Sequence, residues 1–261
     1  MPQRPFAFDP AAAGRPLKVA AFMSGSGSNI RRLLERNSPH FEVAFIFSDR
    51  SDGHSQGERI ALEYGLPYFS HDIRRFHALR GLKRSALGEE GLAARRAYDQ
   101  VAGRLVKAFG VEVIALGGYM SFLTLKNGVN VHPADLSIHD EAGRRRFVGD
   151  DAVMDAIAAG QGELRASTLW IDQGVDSGPL LMVSDPLPVE LPEPLARLRR
   201  APRRLRQVAD DHQERLKQRG DWLIFPLTVE LMAMGRLRVN RRGLAELDGR
   251  EYPGGVRLAD V

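Results

Sequence analysis

Residues 111–116 (VEVIAL) are apolar at nearly every position. A strand with one wet face alternates apolar and polar side chains, whereas a nearly unbroken apolar run belongs to a strand covered on both faces. Leu17–Met23 (LKVAAFM) and Phe41–Ser48 (FEVAFIFS) are two further β runs, and residues 66–69 form a short one. Between these runs the spacing turns helical, at residues 30–35, 57–64 and 95–109. The last places Val101, Leu105, Val106 and Phe109 at helical intervals. Strands alternating with helices predict an α/β chain of three layers around a mainly parallel sheet.

The second half reads differently. Residues 135–149 form a polar loop carrying Arg144, Arg145 and Arg146. Residues 151–159 have helical character, and residues 167–171 and 180–183 read as two strands of a hairpin around Asp176. Residues 187–194 are proline-rich. A long polar helix is expected over residues 195–219, with Pro202 breaking or starting it. Residues 225–234 form another helix, and Asp248-Gly249 turns a small C-terminal hairpin.

Bulk properties narrow the function classes. A chain of 261 residues suits one large domain or two small ones. No apolar run approaches the length of a membrane span, and the first 16 residues read as a loose leader with no secretory signal. With no cysteine, disulfides, thiolate nucleophiles and cysteine-ligated zinc are excluded. This fits a cytoplasmic protein. The histidines show no metal-ligand spacing, so no catalytic metal is expected. A net charge of +4 accommodates anionic small molecules or a nucleic acid.

Three segments carry chemistry. Residues 24–29 (SGSGSN) join the first strand to a helix. Gly25 and Gly27 let backbone approach a ligand, and Ser26, Ser28 and Asn29 with free helix amides suit a phosphate. The same residues also suit a tight, capped turn. Asn130 and His132 alternate along a short strand, so both side chains point one way, and Pro133 favours extended backbone at His132. An amide and an imidazole on one side fit an oxyanion; a strand end bonded to loop backbone fits them too. Asp176 lies in a turn-rich segment, GVDSGP. Its carboxylate can favour a charged His132 or order a proton-relaying water, or simply cap the turn. The basic runs at 144–146 and 197–206 read as solvated faces, or as an anion or RNA patch.

Taken in order, SGSGSN (24–29), GGYMSFL (117–123), NVHP (130–133), VDSGPLL (175–181) and the tail's DWLIFP, MGRL and LDGRE resemble the folate-dependent formyltransferase family. The likeness is strongest to its branch that formylates glycinamide ribonucleotide in purine synthesis. It runs from about residue 18 to 183 and resumes at 220.

The resemblance implies a three-layer, Rossmann-like formyltransferase fold in which Asn130, His132 and Asp176 are catalytic. It gives Gly25, Ser26, Gly27, Ser28 and Asn29 the acceptor phosphate, and Gly117, Gly118, Tyr119 and Met120 the folate. Asp221 falls near the acceptor's ribose, where the family usually has Glu. The co-substrate is 10-formyltetrahydrofolate, without a metal, and the enzyme is a monomer or homodimer with small-molecule substrates and no membrane. The implied organisation is a leader at 1–16, a formyltransferase domain at 17–190, and an arginine-rich helical segment with C-terminal helix and hairpin at 191–261.

This chain departs from the family pattern at several points. Ser121 stands where relatives carry Arg. Ala134 opens a changed segment after His-Pro. Residues 149–156, including Val153, lack the usual histidines, and Leu169 replaces one more. Three other readings share these motifs: transfer to a different amine such as a nucleotide-linked amino sugar, hydrolysis of formyltetrahydrofolate, and a non-catalytic folate-, nucleotide- or RNA-binding module. The intact trio of Asn130, His132 and Asp176 argues against the last.

Overall fold

The computed structural model describes residues 5–83 and 88–261. The first four residues of the expected leader lie outside the described residues. The chain forms two compact units, residues 8–130 and residues 131–261, the latter joined by the described residues before Phe8.

The 8–130 unit opens with a short helix α1 (Pro10–Ala13), capped by the Asp9 carboxylate. Then come β1 (Leu17–Met23), α2 (Ser28–Glu35), β2 (Phe41–Ser48), α3 (Gly57–Tyr64), β3 (Tyr68–Ser70), α4 (Ile73–Ala78), α5 (Glu89–Ala108), β4 (Val113–Leu116) and β5 (Gly128–His132). β5 carries the chain across into the other unit. The strands lie in the order β3-β2-β1-β4-β5, and every pairing is parallel. This is the mainly parallel sheet that the apolar runs predicted. β1 is buried at six of seven positions. Phe22, Phe45 and Phe47 pack among its neighbours, with Phe22 and Phe47 rings 4.8 Å apart. Each such buried side chain contributes about 1.5–3 kcal/mol relative to exposure.

The order reverses at β1 and β4: β1 leads on to β2 and β3 on one side, and β4 to β5 on the other. Ligands of open α/β sheets bind beyond the carboxyl ends of strands at such a switch point. The loops that leave β1 and β4 are residues 24–27 and 117–127.

The 131–261 unit continues with α6 (Ala152–Ala158), β6 (Glu163–Leu164), β7 (Ser167–Trp170), β8 (Leu180–Val183), β9 (Leu187–Pro188), α7 (Leu195–Leu198), α8 (Pro202–Leu216), a π-helical turn (Lys217–Asp221), α9 (Trp222–Ala233), β10 (Leu237–Val239), β11 (Ala245–Leu247), β12 (Arg250–Tyr252) and β13 (Val256–Arg257). β7 and β8 form the expected antiparallel hairpin, and β13 adds to β8 in parallel. β10, β11 and β12 make a small antiparallel sheet. Phe6 bridges to Val239, and its ring lies tilted against Trp170 with centroids 4.8 Å apart.

The helical stretch expected over 195–219, with Pro202 breaking or starting it, is two helices. α7 ends at Leu198, and Pro202 starts α8 in its first turn, where the missing amide has no intrahelical partner to lose. α8 then passes through the π turn directly into α9. Among the described residues no helix is long and apolar enough to cross a membrane.

Candidate active site

β5 ends in His132, which is 5% exposed. The β7–β8 hairpin loop delivers Asp176 to it, with His132 Nδ1 3.4 Å from Asp176 Oδ2. Asp176 stands in the left-handed region at φ 50°, a conformation that residues with a β-carbon adopt reluctantly. The loop around it is pinned locally. Asp172 Oδ1 accepts from Gly174 N at 2.9 Å and from Ser177 Oγ at 2.7 Å. Gly178 presses on the next strand so closely that a β-carbon there would fall 1.8 Å from the Trp170 carbonyl oxygen. Only glycine fits that position without moving backbone.

The 135–149 loop supplies the remaining partners. The Phe147 carbonyl lies 3.1 Å from His132 Nε2, and Gly149 N donates to Asp176 Oδ2 at 3.0 Å. A carbonyl and a carboxylate both only accept, so each ring nitrogen can bond the group it faces only as a donor. Arg145 donates to the carbonyls of Asp176 and Gly178, the latter at 2.7 Å. Burial pulls its guanidinium below the ordinary arginine value, while Asp172 and Asp176 pull it up.

Asn130 lies two residues before His132 on β5, so its side chain leaves the strand on the same side. In the 8–130 unit it is the register partner of Leu116, the last residue of β4.

The loops at the switch point are tied together within that unit. Ser24 N donates to Gly118 O at 3.1 Å, and Met120 N donates to Ser24 Oγ at 2.9 Å. Gly27 takes φ 67° at the start of α2, and a β-carbon there would meet Met23 and Ile60 at 2.6 and 2.7 Å. Gly25 faces open space instead. A β-carbon on Gly117 would come within 2.5 Å of Ile30 Cδ1, so the β4 loop lies directly against α2. Ser26 and Ser28 sit at the open entrance to that helix, and Asn29 is buried in it. Tyr119 is buried, which raises its hydroxyl well above the usual tyrosine value. Met120 is 52% exposed, an apolar side chain left in solvent beside the loop.

Ser121 is buried and donates to the Asp49 carboxylate. Asp221 is buried at the end of the π turn, a form of helix that clusters at functional sites. The other departures are core positions. Leu169 packs with Leu136, Leu180 and Val183, Val153 is buried, and Ala134 O accepts from Ser167 Oγ at 2.7 Å. Among the described residues no group of three or more His, Asp or Glu side chains is placed to hold a metal.

Sequence reasoning missed Arg145, Phe147 and Gly149. Arg145 is one of three adjacent arginines, and its neighbours do other things. Arg144 pairs with Asp140 at 2.9 Å, and Arg146 lies over the Phe147 ring. The second basic run is partly paired within its own unit. Arg206 meets Asp151 at 2.6 Å, and Arg199 Nε donates to Ala158 O at 2.8 Å.

Residues 17–200 match the formyl transferase family. The chain is 26% identical over 180 residues to the trifunctional purine biosynthetic protein adenosine-3 of Drosophila melanogaster, covering 64% of this chain and 11% of that much longer protein. It is 22% identical over 246 residues to the phosphoribosylglycinamide formyltransferase of Haemophilus influenzae, covering 90% of this chain and 96% of that one. The solved phosphoribosylglycinamide formyltransferase of Coxiella burnetii, in complex with CHES, has a TM-score of 0.64 at 20% identity, covering 93% and 99% of the two chains. Glycinamide ribonucleotide transformylase 1 from Symbiobacterium toebii has a TM-score of 0.62 at 24% identity, covering 90% and 95%. The structural likeness concerns the fold.

Proposed function

The chain belongs to the formyl transferase family, and on that premise we propose that it transfers the formyl group of 10-formyltetrahydrofolate to the amine of glycinamide ribonucleotide, as a cytoplasmic enzyme of purine biosynthesis. The observation that carries this reading is the buried His132–Asp176 pair at the end of β5. The name of the Haemophilus influenzae relative, phosphoribosylglycinamide formyltransferase, supports the choice of acceptor.

In the proposed reaction the acceptor amine attacks the formyl carbon. A carbon–nitrogen bond forms and the carbonyl electrons move to oxygen. Asn130 and His132 Nε2–H donate to that oxyanion; the formyl oxygen takes the place of the Phe147 carbonyl as the partner of Nε2. Asp176 accepts from Nδ1–H, and with the ring charged Nε2–H is a donor as well. Fixed donors of this kind cost no reorganisation as charge develops. The attacking nitrogen then loses a proton through Asp176 and a water. The bond from the formyl carbon to N10 breaks, N10 gains a proton, and tetrahydrofolate and the N-formyl product leave.

Gly25, Ser26, Gly27, Ser28 and Asn29 hold the acceptor's phosphate in this reading. Gly117, Gly118, Tyr119 and Met120 line the folate, and Asp221 meets the acceptor's ribose. Mass spectrometry of the acceptor after incubation with 10-formyltetrahydrofolate tests the proposal. Glycinamide ribonucleotide in which one hydrogen has been replaced by a formyl group supports it. An unaltered acceptor with a folded enzyme overturns the choice of acceptor.

A further inference from the structure

We propose that Arg145 is a positioning residue for the reaction: by bonding the carbonyls of Asp176 and Gly178 it holds the Asp176 carboxylate on His132. This rests on the reading of His132 and Asp176 given above.

The geometry begins with the loop that carries Arg145. Asp140 Oδ1 accepts from Ala142 N at 3.0 Å and Arg144 N at 2.8 Å. Asp140 N donates to Arg144 O at 2.8 Å, and Arg146 N to Ile138 O at 3.0 Å. A bridge between His139 and Arg145 closes the turn. The backbone of Arg145 is therefore fixed, and its half-buried side chain is aimed by it. The planar guanidinium presents its donors as a rigid fork. Here one prong meets Asp176 O and the other Gly178 O. These two carbonyls flank Ser177, so the fork spans the turn that sets the direction of the Asp176 side chain.

The Asp176 backbone lies in the left-handed region at φ 50°, which is uncommon for a residue with a β-carbon although aspartate tolerates it better than most. The Asp172–Ser177 bond pins the far side of the loop, but among the described residues the two carbonyls of Asp176 and Gly178 are spanned by Arg145. The same loop brings Gly149 N to the carboxylate, so backbone and side chain of Asp176 are gripped from one segment. Lysine presents a single ammonium and reaches one carbonyl at a time. Arg144, next in sequence, is 79% exposed and bound to Asp140, which makes it the natural control.

The test is steady-state transfer from 10-formyltetrahydrofolate to glycinamide ribonucleotide, run beside hydrogen exchange of the peptides covering 172–180. In Arg145→Ala, kcat falls by about 10- to 100-fold, as expected when a reacting group is misplaced by about 1 Å, and KM for either substrate moves by less than about twofold. Arg145→Lys recovers only part of the loss. Guanidinium ion, far below denaturing concentration, restores activity to Arg145→Ala and does nothing for Arg144→Ala, which keeps wild-type kcat. Exchange speeds up at 172–180 in Arg145→Ala. In an Asp176→Ala background, Arg145→Ala changes kcat by less than about threefold, because coupled residues are not additive. Wild-type kcat and exchange in Arg145→Ala, beside an inactive Asp176→Ala, overturn the inference alone. So does an equal loss in both backgrounds. A fully active Asp176→Ala overturns the underlying reading, and the role of Arg145 in catalysis falls with it.

Discussion

His132 Nδ1 faces Asp176 Oδ2 across 3.4 Å, and the two side chains are 6% and 9% exposed. Little solvent reaches the space between them to screen the pair. Asp176→Asn keeps the volume and removes the charge. Turnover is expected to fall by about 100-fold or more, the scale of losing a fixed electrostatic partner. Circular dichroism checks that the fold is kept, and kcat from steady-state kinetics reads the effect. Wild-type turnover removes Asp176 from the mechanism.

Asn130 is the second donor in the account. Asn130→Ala is expected to lower kcat by about two orders of magnitude, as for other oxyanion donors. KM for the folate stays near its wild-type value, because the contact is made to the developing charge. A rise in KM alone assigns Asn130 to ground-state binding instead.

Gly117 and Ile30 set how closely the β4 loop lies on α2. A methyl group on Gly117 would sit 2.5 Å from Ile30 Cδ1 and 2.9 Å from Ile30 Cγ1. Gly117→Ala is expected to cost about 1–3 kcal/mol, the range for overpacking. Ile30→Val deletes Cδ1, so the double variant recovers part of that loss. Denaturant melts of the four proteins read the coupling; additive losses contradict the contact.

His71 supplies a pH signature of stability. Its ring stacks on Tyr98, with centroids 4.8 Å apart. Burial lowers its pKa from the ordinary histidine value, Asp72 opposes that shift and Arg80 adds to it. A folded-state pKa below the unfolded one means that the unfolded chain binds the proton first. Stability is full above the unfolded value of about 6.5 and is lost as pH falls through the lowered one. His71→Phe keeps the stack and removes the titration. Thermal melts across pH 5–8 are expected to show a shallower decline on the acid side for the variant; parallel curves contradict the assignment.

The sheet was readable because burial on both faces leaves an unpolarised apolar run, as in Leu17–Met23 and Phe41–Ser48. α3 was readable at its C-terminal end because Gly65, at φ 66°, stops it. The Asp248-Gly249 turn was readable from its two residues, which take φ 49° and 86°. α4 escaped because six residues give little periodicity, although Asp72 caps it. The π turn at Lys217–Asp221 escaped because an extra residue in a turn shifts the apolar phase on either side. Within the candidate site, the motifs marked His132 and Asp176, but not their meeting or their partners. Arg145 and Arg144 are alike in sequence, and only tertiary pairing gives one to the Asp176 loop and the other to Asp140. The Phe147 carbonyl and the Gly149 amide are backbone groups, which no residue type announces.

The most direct test of the central claim is tetrahydrofolate release from 10-formyltetrahydrofolate, measured with and without glycinamide ribonucleotide, for the wild type and for Asp176→Asn. The account predicts release by the wild type that requires the acceptor, and release by Asp176→Asn reduced by about 100-fold or more. Release that proceeds equally without acceptor contradicts it and makes the protein a hydrolase. Equal acceptor-dependent release by both proteins contradicts the role of the His132–Asp176 pair.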